Sequence, residues 1–213
     1  MKAREAAQAA EGSEISVQTA GGIIVAAVAW FFAFGVGSGN FWVKIGVAVA
    51  AVTTYSLLWQ KPRVRFTPAS VLTGLASAVV LYSLFFAGNV LAPYVVPGAS
   101  SQVGGIYGLG EGSSRLWIFL LLFFVTGPGE EIFWRGFLQD RLEKRLGVVP
   151  GYVVAALVYG GVHVFSGNVM LVLAALVAGG FWGLMYVWKH DIAALIVSHS
   201  LWSSFIFAVA PIR

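Results

Sequence analysis

The chain has 213 residues, of which 59% are apolar and only 10% charged, with a formal net charge of +4. That composition, with a mean hydropathy of +0.85, excludes a water-soluble protein of this size, because thirteen bases and nine acids cannot solvate its surface. With no cysteine there is no disulfide framework, thiolate nucleophile or cysteine metal site, and the bases form no tract interleaved with aromatics, so no nucleic-acid partner is expected.

The first twenty residues are polar, mixed in charge and too acidic for the start of a cleaved signal peptide, and they read as a soluble cytoplasmic tail ahead of a single transmembrane domain over 21–213. A bilayer core about 30 Å thick takes roughly 20 apolar residues of helix to cross. Seven stretches qualify: Gly22 to Ser38, Phe41 to Trp59, Ala69 to Ala92, Leu116 to Gln139, Val149 to Phe165, Val169 to Trp188 and Ile192 to Ala210. The expected architecture is therefore an all-α polytopic membrane bundle with the N-terminus inside. With the tail placed in the cytoplasm, nine bases fall inside (Lys2, Arg4, Lys61, Arg63, Arg65, Arg141, Lys144, Arg145, Lys189) and three outside (Lys44, Arg115, Arg213), in keeping with the positive-inside rule. Trp59 and Trp188 at inner boundaries and Trp42 and Trp117 at outer ones suggest an aromatic belt.

The first two spans, separated by Gly39-Asn40, read as a helical hairpin. Pro93 to Arg115, rich in Gly and Ser, reads as an external loop over the outer ends of the bundle. Small residues at Ala174-Ala175 and Gly179-Gly180-xx-Gly183 read as close helix packing on the sixth span. No internal repeat supports an inverted-repeat transporter.

Ionisable groups inside a bilayer are costly and usually functional. In the seven spans they are Glu130, Glu131, Arg135, His163 and His199; His190, in Lys189-His190-Asp191, sits at a boundary. Neighbours on a helix diverge by about 100°, so Glu130 and Glu131 point differently, while residues four apart meet. Glu131 should therefore pair with Arg135 in a structural role, leaving Glu130 as the carboxylate free for chemistry. Pro128, between two glycines, should break or kink the span just before that acid and direct free N–H groups at it. The pairs Tyr159/His163 and His199/Ser203 each place a hydroxyl one turn from an imidazole. At a rise of about 1.5 Å per residue, Glu130 and His199 come out about 15 and 12 Å from the inner boundary and His163 about 20 Å, so the fifth span must tilt or start lower for all three to meet. A carboxylate and two imidazoles in a wet cavity suit general-base hydrolysis of a peptide bond, with Glu130 taking the proton from water, His163 holding that water or the carboxylate, and His199 donating to the oxyanion. No metal ligand set is needed.

Glu130-Glu131-xxx-Arg135 followed by Gly136-x-Leu138, then Tyr159-xxx-His163, then His199, resembles the CAAX protease and bacteriocin-processing (CPBP, or Abi) family of intramembrane endopeptidases over about Leu116 to Ala210. The resemblance implies Glu130 as the water-activating base, Glu131 and Arg135 as its supporting acid and base, and His163 and His199 as the family's two histidines. Tyr159 stands where the family often has Phe, and Ser203 where it has Asn or Asp beside the oxyanion. It further implies a membrane-anchored protein or peptide substrate cut near a terminus, a multi-pass place in a cell membrane, expected to be a bacterial cytoplasmic membrane, and no obligatory cofactor. A zinc-dependent protease is the first alternative, since members have been described both as zinc and as metal-independent glutamic proteases. A non-catalytic immunity or scaffold protein is the second, and a proton-coupled transporter the third.

Overall fold

In the computed structural model, which describes the backbone over 2–212 and side chains over 16–212, the described residues are helical with no strand. Seven helices are long and apolar enough to cross a membrane: Ser16–Gly35, Phe41–Trp59, Pro68–Val95, Arg115–Leu146, Val148–Ser166, Val169–Lys189 and Ile192–Val209. The count matches the sequence expectation, and the fourth span is longer at both ends than its apolar stretch. The expected tail is continuous in backbone with the first span, as helix α1, Lys2–Trp30; the side chains of 1–15 and of Arg213 lie outside the described residues.

Helix α1 ends in a π turn, Phe31–Gly35, and helix α2, Phe41–Trp59, starts where the Asn40 side chain accepts from the backbone N–H groups of Trp42 and Val43. Gly39, at φ 85°, makes the reversal into that cap. The ammonium of Lys44 reaches back to the Val36 carbonyl at the end of the first span. Helix α3, Pro68–Val95, is capped by Thr67 and packs on the last span. Gly74 permits this, because a Cβ there would lie 2.5 Å from Val197 Cβ.

The segment expected as an external loop is largely helical. Helix α3 runs on to Val95, and a short helix α4, Ala99–Gly108, follows. Gln102 ties α4 to the sixth span by accepting from Asn168 Nδ2 at its carbonyl and from the Met170 N–H at its side chain. The Gly and Ser content marked the turns around this helix and hid the helix itself.

The fourth span is built from α5 (Arg115–Leu121), a π segment (Leu122–Thr126), α6 (Gly127–Phe133), a second π segment (Trp134–Gln139) and α7 (Asp140–Leu146). This corrects the expected break at Pro128. The N–H of Gly127 bonds the Leu122 carbonyl five residues back, and proline takes a position in the first turn of α6, so the widened turn absorbs the missing donor while the chain stays helical. At the far end Gly147, at φ 91°, turns the chain into α8, Val148–Val162. A 3₁₀ turn, His163–Ser166, completes the fifth span; α9 is Val169–Lys189, and α10, Ile192–Ser204, ends in a π turn at Phe205–Val209.

Enclosure differs sharply between spans. The seventh is 61% buried and the fourth 50%, whereas the third is 17%, so the fourth and seventh spans form the centre and α3 lies at the periphery. Large apolar side chains such as Leu58, Val79, Leu184 and Tyr94 point outward, as expected where lipid is the solvent. Trp59, Trp117 and Trp188 are exposed as a belt requires, but Trp42 is buried, its indole N–H donating to the Leu109 carbonyl at 2.8 Å.

The small residues of α9 act as close-packing positions and something more. A Cβ on Gly179 would lie 2.7 Å from the Tyr159 ring, and one on Gly183 would lie 2.9 Å from Tyr152. The carbonyls bared along this stripe accept side-chain bonds from the facing helices: Arg135 to Gly179, Gln139 to Gly183 and Tyr152 to Gly180.

Candidate active site

Glu130 and Glu131 diverge on α6 as helix geometry requires, and their surroundings differ accordingly. Glu131 is fully buried and its Oε1 accepts from Arg135 Nη1 at 2.8 Å and from His199 Nδ1 at 2.7 Å. The Arg135–Glu131 pair of the sequence reading is present, and the histidine bond adds a function to it. A carboxylate only accepts, so the Nδ1 of His199 carries the proton and the ring is turned with Nε2 away from Glu131. The imidazole is also stacked on Trp182, ring centroids 3.9 Å apart at 18°, and the Trp182 indole is itself fixed by a 3.0 Å bond to Ser198 Oγ. Arg135 is held between the rings of Tyr159 and Trp182, 5.0 and 5.5 Å from their centroids, and its Nη2 donates to the Gly179 carbonyl at 3.1 Å.

Two glycines let α6 come close enough for this. A Cβ on Gly127 would lie 2.3 Å from Ser200 Oγ and 2.8 Å from the Ser200 backbone, and one on Gly129 would lie 2.6 Å from Thr53 Oγ1. Any larger residue at 127 would push α10, and with it His199, away from the carboxylates.

Glu130 has the opposite character. It is buried, yet its Oε2 has no hydrogen-bond partner among the described residues, and the Tyr159 hydroxyl lies beside its carboxyl group. Glu130 also lines a cavity, so its carboxyl group is within reach of whatever enters it.

His163 opens the 3₁₀ turn at the end of the fifth span. Its Nδ1 faces the Tyr159 carbonyl at 2.7 Å, and its Nε2 faces the Trp30 indole nitrogen at 3.2 Å. The carbonyl only accepts and the indole only donates, so both ring nitrogens are assigned: the proton is on Nδ1, and Nε2 is the acceptor. The Tyr159 hydroxyl therefore serves Glu130 and its backbone serves His163. Trp30 comes from the first span and carried no signal in the sequence, since an aromatic in an apolar helix looks like core. Ser203 lies one turn from His199, but its hydroxyl donates to the His199 carbonyl at 2.8 Å, a bond within its own helix. Toward the cavity it offers lone pairs only.

One cavity of about 120 Å³ is lined by Glu130, Tyr159, His163, His199 and Ser203, with Trp30, Phe34, Trp42, Leu109, Trp202 and Phe207 among its walls. A water needs roughly 10–15 Å³ of such space, so several fit. All three residues expected to do chemistry thus share one cavity. The fifth span starts at Val148 in tight contact with α7, where a Cβ on Gly151 would lie 2.4 Å from the Glu143 backbone.

Zinc would need three protein donors and an open position. Among the described residues there is no cluster of three or more His, Asp or Glu side chains able to hold a metal. His163 has both nitrogens engaged and His199 has one, which leaves His199 Nε2 and Glu130 as open donors. The donor set does not fit a zinc centre.

Residues 112–205, which contain Glu130, Glu131, Arg135, Tyr159, His163, His199 and Ser203, match the family model described as type II CAAX prenyl endopeptidase Rce1-like. No curated protein and no solved structure matches the chain. The motifs at Glu130, His163 and His199 all lie within 112–205, so this part of the seven-span all-α chain is similar to a family of membrane proteases.

Proposed function

We propose that the protein is an intramembrane endopeptidase that hydrolyses a peptide bond near the terminus of a membrane-associated substrate, with Glu130 activating water. The observation that carries this reading is the contrast between the two adjacent glutamates: Glu131 engages Arg135 and His199 through Oε1 and does not line the cavity, while Glu130 has neither of these partners and lines a cavity with room for water.

In the proposed reaction a water held by Glu130 gives that carboxylate its proton as the oxygen attacks the scissile carbonyl carbon. The carbonyl oxygen becomes an oxyanion, and His199 Nε2, protonated in an imidazolium steadied through Nδ1 by Glu131, donates to it. Collapse breaks the C–N bond, Glu130 returns the proton to the leaving nitrogen, and a carboxylic acid and an amine depart. Tyr159 holds the Glu130 carboxyl. Because Trp30 occupies His163 Nε2, His163 supports the wall of the cavity in this state, and holding water there would require the indole to withdraw. Ser203, already bonded to its helix, stands near the oxyanion as an acceptor, so the donor work falls on His199.

The test is processing of membrane-anchored reporter peptides by purified protein in vesicles. Glu130→Gln and Glu130→Ala should each lower cleavage by about 10²–10⁴-fold, with folded protein as abundant as wild type. Unchanged cleavage would remove Glu130 from the reaction, and loss of folding in both variants would instead favour a scaffold whose polar cluster is structural.

A further inference from the structure

The two ends of the bundle are unlike, and the cavity belongs to one of them. The first span ends at Gly35 and the second starts at Phe41, so the Phe34, Phe41 and Trp42 walls sit at the end where those spans meet. Leu109, just after α4, Leu122, in the first half of the fourth span, and Phe207, in the last turn of the seventh, line the cavity from the same end. Trp30 closes α1 on that side, and His163 stands in the last turn of the fifth span. The opposite end carries the connections at 60–67, 147 and 190–191.

Charge distinguishes these ends. Among the described residues, seven bases (Lys61, Arg63, Arg65, Arg141, Lys144, Arg145, Lys189) lie at the end away from the cavity, and two (Lys44, Arg115) at the cavity end. Bases near span ends are retained on the cytoplasmic side. Their placement therefore orients the cavity.

We infer that the cavity opens toward the non-cytoplasmic face, so that the substrate is a peptide exported through, or anchored in, the membrane whose scissile bond lies at the outer interface. A tail made and kept in the cytoplasm reaches the wrong end of the bundle. The inference rests on the peptidase reading for its substrate, but its geometry is tested without any substrate. Because the chain has no cysteine, single cysteines report cleanly. Glu111→Cys and Ser100→Cys mark the cavity end, Lys61→Cys and Arg145→Cys the other, and all four positions are exposed. In intact spheroplasts of a bacterial host, a membrane-impermeant maleimide should label the first pair to at least about 80% of the level reached after permeabilisation, and the second pair by less than about a tenth; this is the difference expected for a single orientation. Two positions per end keep the result readable if one variant fails to accumulate. Labelling of the Lys61 and Arg145 variants in intact spheroplasts, with the other pair protected, would overturn the inference, and so would equal labelling of both ends. Neither outcome bears on whether Glu130 is needed for cleavage, so the two readings can fail separately.

Discussion

Two turns of the fourth span carry acids and bases in similar density, and only one of them is closed. Around Asp140, Arg141 and Glu143 the charges are matched: Asp140 accepts from Lys144 at 2.6 Å, Gln60 at 2.8 Å and Tyr186 at 3.2 Å, and Glu143 accepts from Gln139 at 2.7 Å with His190 at 3.4 Å. Arg141 donates to Gln60, to Gln18 and to the Trp59 carbonyl, and lies over the Phe137 ring. Two turns earlier Glu131 is paired through Oε1 alone, and the Oε2 atoms of both Glu131 and Glu130 have no donor among the described residues. Burial costs both regions alike. The inner turn offsets that cost with partners and ties spans together, whereas in the outer turn two carboxylate oxygens lack a donor and Glu130 lines a cavity. A cavity beside one carboxylate, more than the presence of charge, separates the candidate site from a brace.

The sharpest way to break this comparison is Arg135→Met. It strands Glu131 in a buried site and removes the bond to Gly179, so stability should fall by about 3–5 kcal/mol, read as the midpoint of thermal unfolding in detergent; a shift near zero would mean the outer turn does not depend on its pair. On the inner side, Gln139→Leu removes donors to Glu143 and to the Gly183 carbonyl and should cost about 1–3 kcal/mol, while the cleavage rate of the folded fraction stays within about twofold. A large fall in that rate would show the inner turn to be part of the site.

Trp30→Phe keeps a ring in place and deletes the only N–H on His163 Nε2. A neutral hydrogen bond of this kind contributes about 0.5–1.5 kcal/mol, and the chain's three histidines make nitrogen NMR of selectively labelled imidazoles practical. The His163 Nε2 resonance should move toward that of an acceptor without a donor, leaving His199 unchanged; a His163 spectrum identical to wild type would remove Trp30 from the account. The smallest effect is expected for Ser203→Ala, a few tenths of a kcal/mol in stability and less than about threefold in rate, because the hydroxyl bonds back to its own helix. A loss of a hundredfold would show that Ser203 faces the oxyanion as a donor.

The local part of this arrangement was legible in the sequence. The divergence of Glu130 from Glu131 and the pairing of Glu131 with Arg135 follow from helical spacing, and both are present. What depends on helix rotation and on contacts distant in sequence was not legible. His199 meets Glu131 from 68 residues away and Trp30 meets His163 from 133 residues away, and no periodicity encodes either. Spacing placed the Tyr159 hydroxyl and the Ser203 hydroxyl next to histidines; in the structure one turns to Glu130 and the other to a backbone carbonyl. Pro128 misled in a related way, since a missing N–H permits either a break or a π turn, and neighbouring packing decides between them. Trp42 was placed in an interfacial belt by its position near a span end, although its face of α2 turns inward to the cavity.

The central claim is that Glu130 activates a water that attacks the peptide directly. Single-turnover cleavage of a membrane-anchored reporter peptide in ¹⁸O-labelled water tests it, with mass spectrometry of both the product carboxyl group and Glu130. Direct attack predicts one ¹⁸O in the new carboxyl group of the product and none in Glu130. A product that carries ordinary oxygen, with ¹⁸O incorporated into Glu130, would show that the carboxylate itself attacks the peptide and would contradict the mechanism.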